Sequence, residues 1–181
     1  KEVAETMGIP YSGTDWQQAL DDCKPDVVSI ATPGGAHYAP IKQAIAAGCH
    51  VFCDKPMTAT AAEAKKLAGE AEKTDALFVL THNYSGYPML RQARAMVRAG
   101  EIGVIEHVQV TLSVPLRQLD AGDFSHWMFR EPRNIVFEQG PPPFAQINEL
   151  IGPVRSMQAA RLGSRELGPG QIFHDRWLLA A

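Results

Sequence analysis

A lysine and a proline, Lys55-Pro56, sit where the strand-like run Cys49-His-Val-Phe-Cys53 gives way to charge at Asp54. Proline cannot donate to a strand ladder, so Pro56 stops the strand and fixes the direction in which the chain leaves it. In open α/β sheets the ligand crevice lies beyond the carboxyl ends of the strands, which is where this places Asp54 and Lys55. An ammonium there can hydrogen-bond a bound oxygen and stabilise developing alkoxide charge, or act as a base if the crevice lowers its pKa. A second strand, 26–31, ends at the same kind of edge in Thr32-Pro33-Gly34-Gly35 and leads into a helix beginning near His37. Two strand ends therefore converge on one site.

The elements that must position these residues alternate. Strand 26–31, helix 37–47 closed by Gly48, strand 49–53, helix 61–73 and strand 76–81 form a β-α-β-α-β series, the pattern of a parallel sheet. Ahead of it, residues 2–8 read as the tail of a helix, and a second helix starts with Thr14 or Asp15 as its N-cap. Thr60-Ala-Ala-Glu63 is a capping box, in which the Thr oxygen and the Glu carboxylate satisfy backbone donors and so limit the Lys55 loop. The pattern breaks at 83–88, which marks a junction between domains 1–83 and 84–181. A helix over 88–99 follows, with Leu90, Ala93 and Val97 on one stripe and Arg91, Arg94 and Arg98 opposite, a solvated face rather than an anion site. Residues 104–114 alternate apolar and polar as a strand opening a second sheet. Gly140-Pro141-Pro142-Pro143 is expected to be extended, since each proline removes a donor and restricts its predecessor, with a short helix over 144–151. A strand-like run closes the chain at 176–181.

Composition narrows the function. The chain has 181 residues, 45% of them hydrophobic, and a net charge of −3, which suits a globular protein and gives no basic footprint for nucleic acid. No apolar run approaches the ~20 residues that span a bilayer, and the opening residues lack a signal-peptide core, so no membrane association and a cytoplasmic location are expected. The first residues also read as if the chain were cut at that end. Cys23, Cys49 and Cys53 make no CxxC pair and suit reduced thiols. Along a strand Cys49 and Cys53 would stand roughly 13 Å apart, too far for one zinc to reach both at ~2.3 Å, so no metal site is expected and buried thiols are.

Taken in order, Thr32-Pro33, His37 and Asp54-Lys55-Pro56, then Thr81-His82-Asn83-Tyr84, the helix 90–100 and Glu101-Ile102-Gly103, the chain resembles the Gfo/Idh/MocA family of NAD(P)-dependent oxidoreductases. The resemblance covers most of the chain. It implies an α/β fold: part of a Rossmann-type, doubly wound parallel sheet followed by part of an α+β domain with a predominantly antiparallel sheet. It implies NAD or NADP as cofactor, a sugar, polyol or related hydroxy compound as substrate, and a homo-oligomer built through the second domain. Thr32, Pro33, His37, Asp54 and Lys55 then line the cofactor, with His37 capping its helix and shaping the Thr32-Pro33 turn. Asn83, Tyr84, Trp127 and Glu138 face substrate, and Lys55 and Glu138 carry the catalytic roles. His82 and His126 lie in neighbouring loops as further proton-transfer candidates.

Three departures stand out. Asp54 replaces the family's Glu, Pro142 stands where the family carries its catalytic His, and no Gly-rich dinucleotide turn occurs in these residues. Pro142 motivates an alternative, a non-catalytic relative that binds cofactor or sugar. A lyase or hydrolase using transient oxidation by retained NAD would use the same fold.

Overall fold

A computed structural model describes residues 2–130 and 134–181. The chain divides into two compact units, Lys1–Thr81 and His82–Ala181.

The first unit opens with helices α1 (Glu2–Met7) and α2 (Trp16–Cys23). Asp15 starts α2, its carboxylate accepting from the backbone N–H groups of Gln17 (2.9 Å) and Gln18 (3.2 Å), which are donors no helical carbonyl can serve. Then come β1 (Val27–Ile30), α3 (Tyr38–Ala46), β2 (His50–Cys53), α4 (Ala61–Ala71) and β3 (Phe78–Leu80). The three strands pair in parallel in the order β1-β2-β3, as the alternating pattern requires. Gly48, at φ 79°, lets the chain reverse after α3, and the N–H of Cys49 returns to the carbonyl of Ala44 at 2.9 Å.

The core lies between this sheet and helices α3 and α4. Ile41, Ala44, Cys53 and Leu67 are fully buried, with Ile30, Ile45, Cys49 and Val51 nearly so. Both sheet cysteines are thus packing residues, as their apolar flanks suggest. Thr60 Oγ1 accepts from the N–H of Glu63 at 3.2 Å, one half of the expected capping box. The other half differs: the Glu63 carboxylate takes the Thr60 hydroxyl at 3.1 Å, because a freely rotating O–H offers a donor close at hand.

The second unit contains α5 (Pro88–Arg98), α6 (Arg117–Asp120), α7 (Asn134–Gln139), α8 (Pro141–Ile151) and the antiparallel pair β4 (Gln158–Gly168) and β5 (Gln171–Ala180), joined at Pro169-Gly170. Three expectations change here. Residues 140–143 are not extended: α8 begins at Pro141, so the three prolines fill its first turn, where their missing N–H groups have no helical acceptor to lose. Residues 104–114 form no strand; alternation supplies a face but not a partner, and Val104 remains 90% exposed with Val110, Leu112 and Val114 near 40%. The arginine face of α5 is not wholly solvated either, since Arg94 forms an ion pair with Glu149 of α8. Around β5, Phe173 is buried and stacks edge-on with Phe129 at 5.1 Å, while Gln171 donates to the carbonyls of Phe124 and Phe129.

Leu67 fixes α4 against the sheet, and Leu67→Ala is expected to destabilise the first unit by about 2–5 kcal/mol through lost burial and a residual cavity. Equilibrium denaturation checks this; a loss below ~1 kcal/mol would mean that α4 does not pack as described.

Candidate functional site

Parallel pairing sets Ile30 opposite Cys53, so β1 and β2 end level and their loops leave from one edge. The ladder runs one residue further: the N–H of Asp54 donates to the carbonyl of Ile30 and that of Thr81 to the carbonyl of Cys53, each at 2.8 Å. Lys55 follows directly, half-buried, joined to Pro56 by a cis peptide.

Three contacts hold this loop. The Pro56 ring occupies the space a side chain would need at Gly34: a Cβ there would stand 2.5 Å from Pro56 Cγ and 2.9 Å from Cδ. Asp54 Oδ1 accepts from the N–H of Lys55 at 2.9 Å and from the Thr81 hydroxyl at 2.8 Å, so its carboxylate is tied back onto its own loop and onto β3. The third contact is His37. Its side chain does not cap α3; the ring turns inward, fully buried, with Nδ1 2.8 Å from the carbonyl oxygen of Pro56 and Nε2 2.5 Å from that of Thr32. The ring thus turns to the backbone carbonyls of Thr32 and Pro56 in place of the solvent-facing helix start.

Cys53 Sγ lies 3.4 Å from His37 Nδ1 and donates to the carbonyl of Asp54 at 3.2 Å. Burial, reinforced by the Asp54 charge, pushes its pKa up to about 11. It is therefore a protonated thiol at neutral pH and a donor rather than a nucleophile.

Of the residues expected at the cofactor, Thr32, Pro33, His37, Asp54 and Lys55 all gather at this edge. Thr32, Pro33 and Asp54 are exposed and His37 lies beneath them. Gly34 and Thr81 belong to the same cluster and were not among the expected site residues. Thr81 could have been found from register alone, as the polar residue ending the strand beside β2.

The residues expected at substrate lie in the second unit. Asn83 and Tyr84 are on a 3₁₀ turn, Asn83–Gly86, that packs on α5 and α8, with the Tyr84 ring edge-on to Tyr87 at 5.2 Å. On the same stretch His82 Nδ1 and Ser85 Oγ are buried without a partner among the described residues. Trp127 opens the turn Trp127–Phe129, which packs on α7, the helix carrying Glu138; Asn134 donates to the Trp127 carbonyl at 2.9 Å. His126 Nδ1 accepts from the N–H of Met128 at 3.3 Å. Glu138 is half-buried, and Pro142 is buried within the first turn of α8.

The chain is similar to known oxidoreductases. Residues 1–82 match the model of the oxidoreductase family with an NAD-binding Rossmann fold, GFO_IDH_MocA. An uncharacterized oxidoreductase, YfiI of Bacillus subtilis, is 42% identical over 98 residues, 54% of this chain and 25% of that protein. Levoglucosan dehydrogenase of Pseudarthrobacter phenanthrenivorans is 32% identical over 104 residues, 58% of this chain and 27% of that protein. Among solved structures, an inositol dehydrogenase homolog from Azotobacter vinelandii, complexed with NAD+, superposes with a TM-score of 0.70 at 26% identity, covering 82% of this chain and 40% of that one. Over residues 1–82 the chain is therefore similar to the Gfo/Idh/MocA oxidoreductases. It spans about a quarter of the length of the two curated relatives.

The thiols offer a direct check on the site's packing. Cys23 is exposed while Cys49 and Cys53 are buried, so a disulfide reagent applied to the native protein is expected to label Cys23 alone, read by peptide mass spectrometry. Equal labelling of Cys53 would contradict the closed packing of His37 and the Lys55 loop.

Proposed function

We propose that the protein containing this chain is an NAD(P)-dependent oxidoreductase that transfers a hydride between the cofactor and a sugar, polyol or related hydroxy compound. The observation that carries this reading is the fixing of Lys55 at the carboxyl edge of β1 and β2 by Gly34, His37 and the Asp54–Thr81 pair. The names of relatives support the substrate class, levoglucosan dehydrogenase among them.

The residues present fit one flank of a dinucleotide. Thr32 and Pro33 are exposed at the edge, and a Cβ at Gly35 would meet only open space, so a ligand can approach that backbone closely. When bound, the nicotinamide ring supplies the hydride acceptor or donor. The protein's share is placement and proton handling. The Lys55 ammonium donates a hydrogen bond to the substrate oxygen and stabilises its developing negative charge, or the neutral amine accepts the hydroxyl proton. Glu138 is the second proton-transfer group, and Asn83, Tyr84 and Trp127 contact the substrate's other hydroxyls. The location is cytoplasmic and the assembly a homo-oligomer. No helix among the described residues is long and apolar enough to cross a membrane, and the net charge of −3 supports no nucleic-acid partner.

Lys55→Met in the full-length protein is expected to lower kcat by roughly 10²-fold or more, with little change in cofactor affinity, measured as NADH formation over a sugar and polyol panel. Unchanged turnover would remove Lys55 from the chemistry.

Pro142 favours a second reading, a relative that binds cofactor or sugar without turnover, because a buried proline in the first turn of α8 has no proton to exchange. Pro142→His separates the two. In the non-catalytic reading turnover rises at least ~10-fold and gains an ionisation near 6.5, the ordinary imidazole range. In the oxidoreductase reading, with Lys55 or Glu138 as the proton-transfer group, the rate stays flat or falls.

A further inference from the structure

His37 has no exposed surface, and both of its ring nitrogens face backbone carbonyls. A carbonyl only accepts, so each contact is a hydrogen bond only when the nitrogen facing it carries a proton, and the doubly protonated ring makes both. The thiol of Cys53 is directed at the Asp54 carbonyl, which leaves its sulfur facing the ring as a further weak acceptor.

The two carbonyls belong to different loops. Thr32 ends the turn after β1, and Pro56 is the residue directly after Lys55. Lys55 is thereby gripped on both sides: its own N–H is held by Asp54 Oδ1, while the next residue's carbonyl is held by His37 and that residue's ring fills the gap at Gly34. With φ and ψ of Lys55 bracketed in this way, the point from which its side chain departs is fixed relative to the Thr32-Pro33 turn.

We infer that His37 is a positioning residue that sets the Lys55 ammonium for catalysis by tying the Pro56 carbonyl to the turn proposed to carry the cofactor. This rests on the oxidoreductase reading above. One buried ring makes the cofactor turn and the lysine loop a single body, so that hydride and proton geometry are set together. A misplacement of about 1 Å at a reacting group can cost ~10²-fold in rate, which is the scale on which such a tie matters.

Two variants reach the same loop by different routes. His37→Ala removes the donor; Gly34→Ala leaves the ring in place and drives a methyl into Pro56. Leu67→Ala serves as the control for lost stability alone, since Leu67 is buried in the core and makes none of the hydrogen bonds that hold the loop. For each full-length variant, kcat and KM are measured on the best substrate. The rate of Lys55 modification by trinitrobenzenesulfonate is measured by peptide mass spectrometry, with exposed Lys42 as internal reference.

Both loop variants are expected to lower kcat by at least ~10-fold and to change Lys55 labelling relative to Lys42 by at least about threefold, with smaller changes in KM, while Leu67→Ala does neither. A folded His37→Ala protein with wild-type kcat and labelling overturns the proposal. If that variant does not fold, Gly34→Ala decides alone, and wild-type labelling there overturns it equally. Should no substrate be turned over by the wild type, the oxidoreductase reading fails by itself, and the labelling ratio still tests the positioning of Lys55.

Discussion

Level termination of two parallel strands is the constraint on which the site depends. Because Ile30 pairs with Cys53 and the N–H of Asp54 still reaches the Ile30 carbonyl, the loops after β1 and β2 begin side by side with little freedom. Everything functional in the first unit follows from that adjacency. Gly34 can receive the Pro56 ring, His37 can reach back to Thr32 and across to Pro56, and Thr81 can reach Asp54 from the third strand. A one-residue change of register would turn alternate side chains to the opposite face and dissolve the cluster.

The first unit was largely legible in its sequence because its signals are local and mutually consistent. The strands are short apolar runs, Asp15 and Thr60 cap helices by side-chain oxygens, and Gly48 supplies a positive φ where α3 must reverse. The inward turn of His37 was not legible. A histidine before a helix reads as a cap, and only the packed structure shows the two backbone carbonyls toward which the ring turns. The Asp54–Thr81 bond is an intermediate case, hidden in composition but recoverable once the strand register is known.

The second unit was read less well for reasons that are physical too. Proline is a helix breaker in the interior and a good helix starter in the first turn, so Pro141-Pro142-Pro143 points both ways until the position of the helix start is known. The alternation over 104–114 describes a surface with two faces, while a strand is made by its neighbour, and no neighbour pairs with it among the described residues. Arg94 looked like one of a solvated row until Glu149, fifty-five residues away, came within reach. Here the deciding contacts are distant in sequence, where periodicity carries no information.

In the proposed reaction the Lys55 side chain meets the reacting oxygen. A crystal structure of the full-length protein with reduced cofactor and a bound sugar or polyol tests it most directly, through the distance from Lys55 Nζ to the oxygen on the carbon facing the nicotinamide ring. A separation within hydrogen-bond reach, about 2.6–3.2 Å, is the result expected. An ammonium more than ~5 Å from that oxygen, with another side chain in its place, would contradict the account.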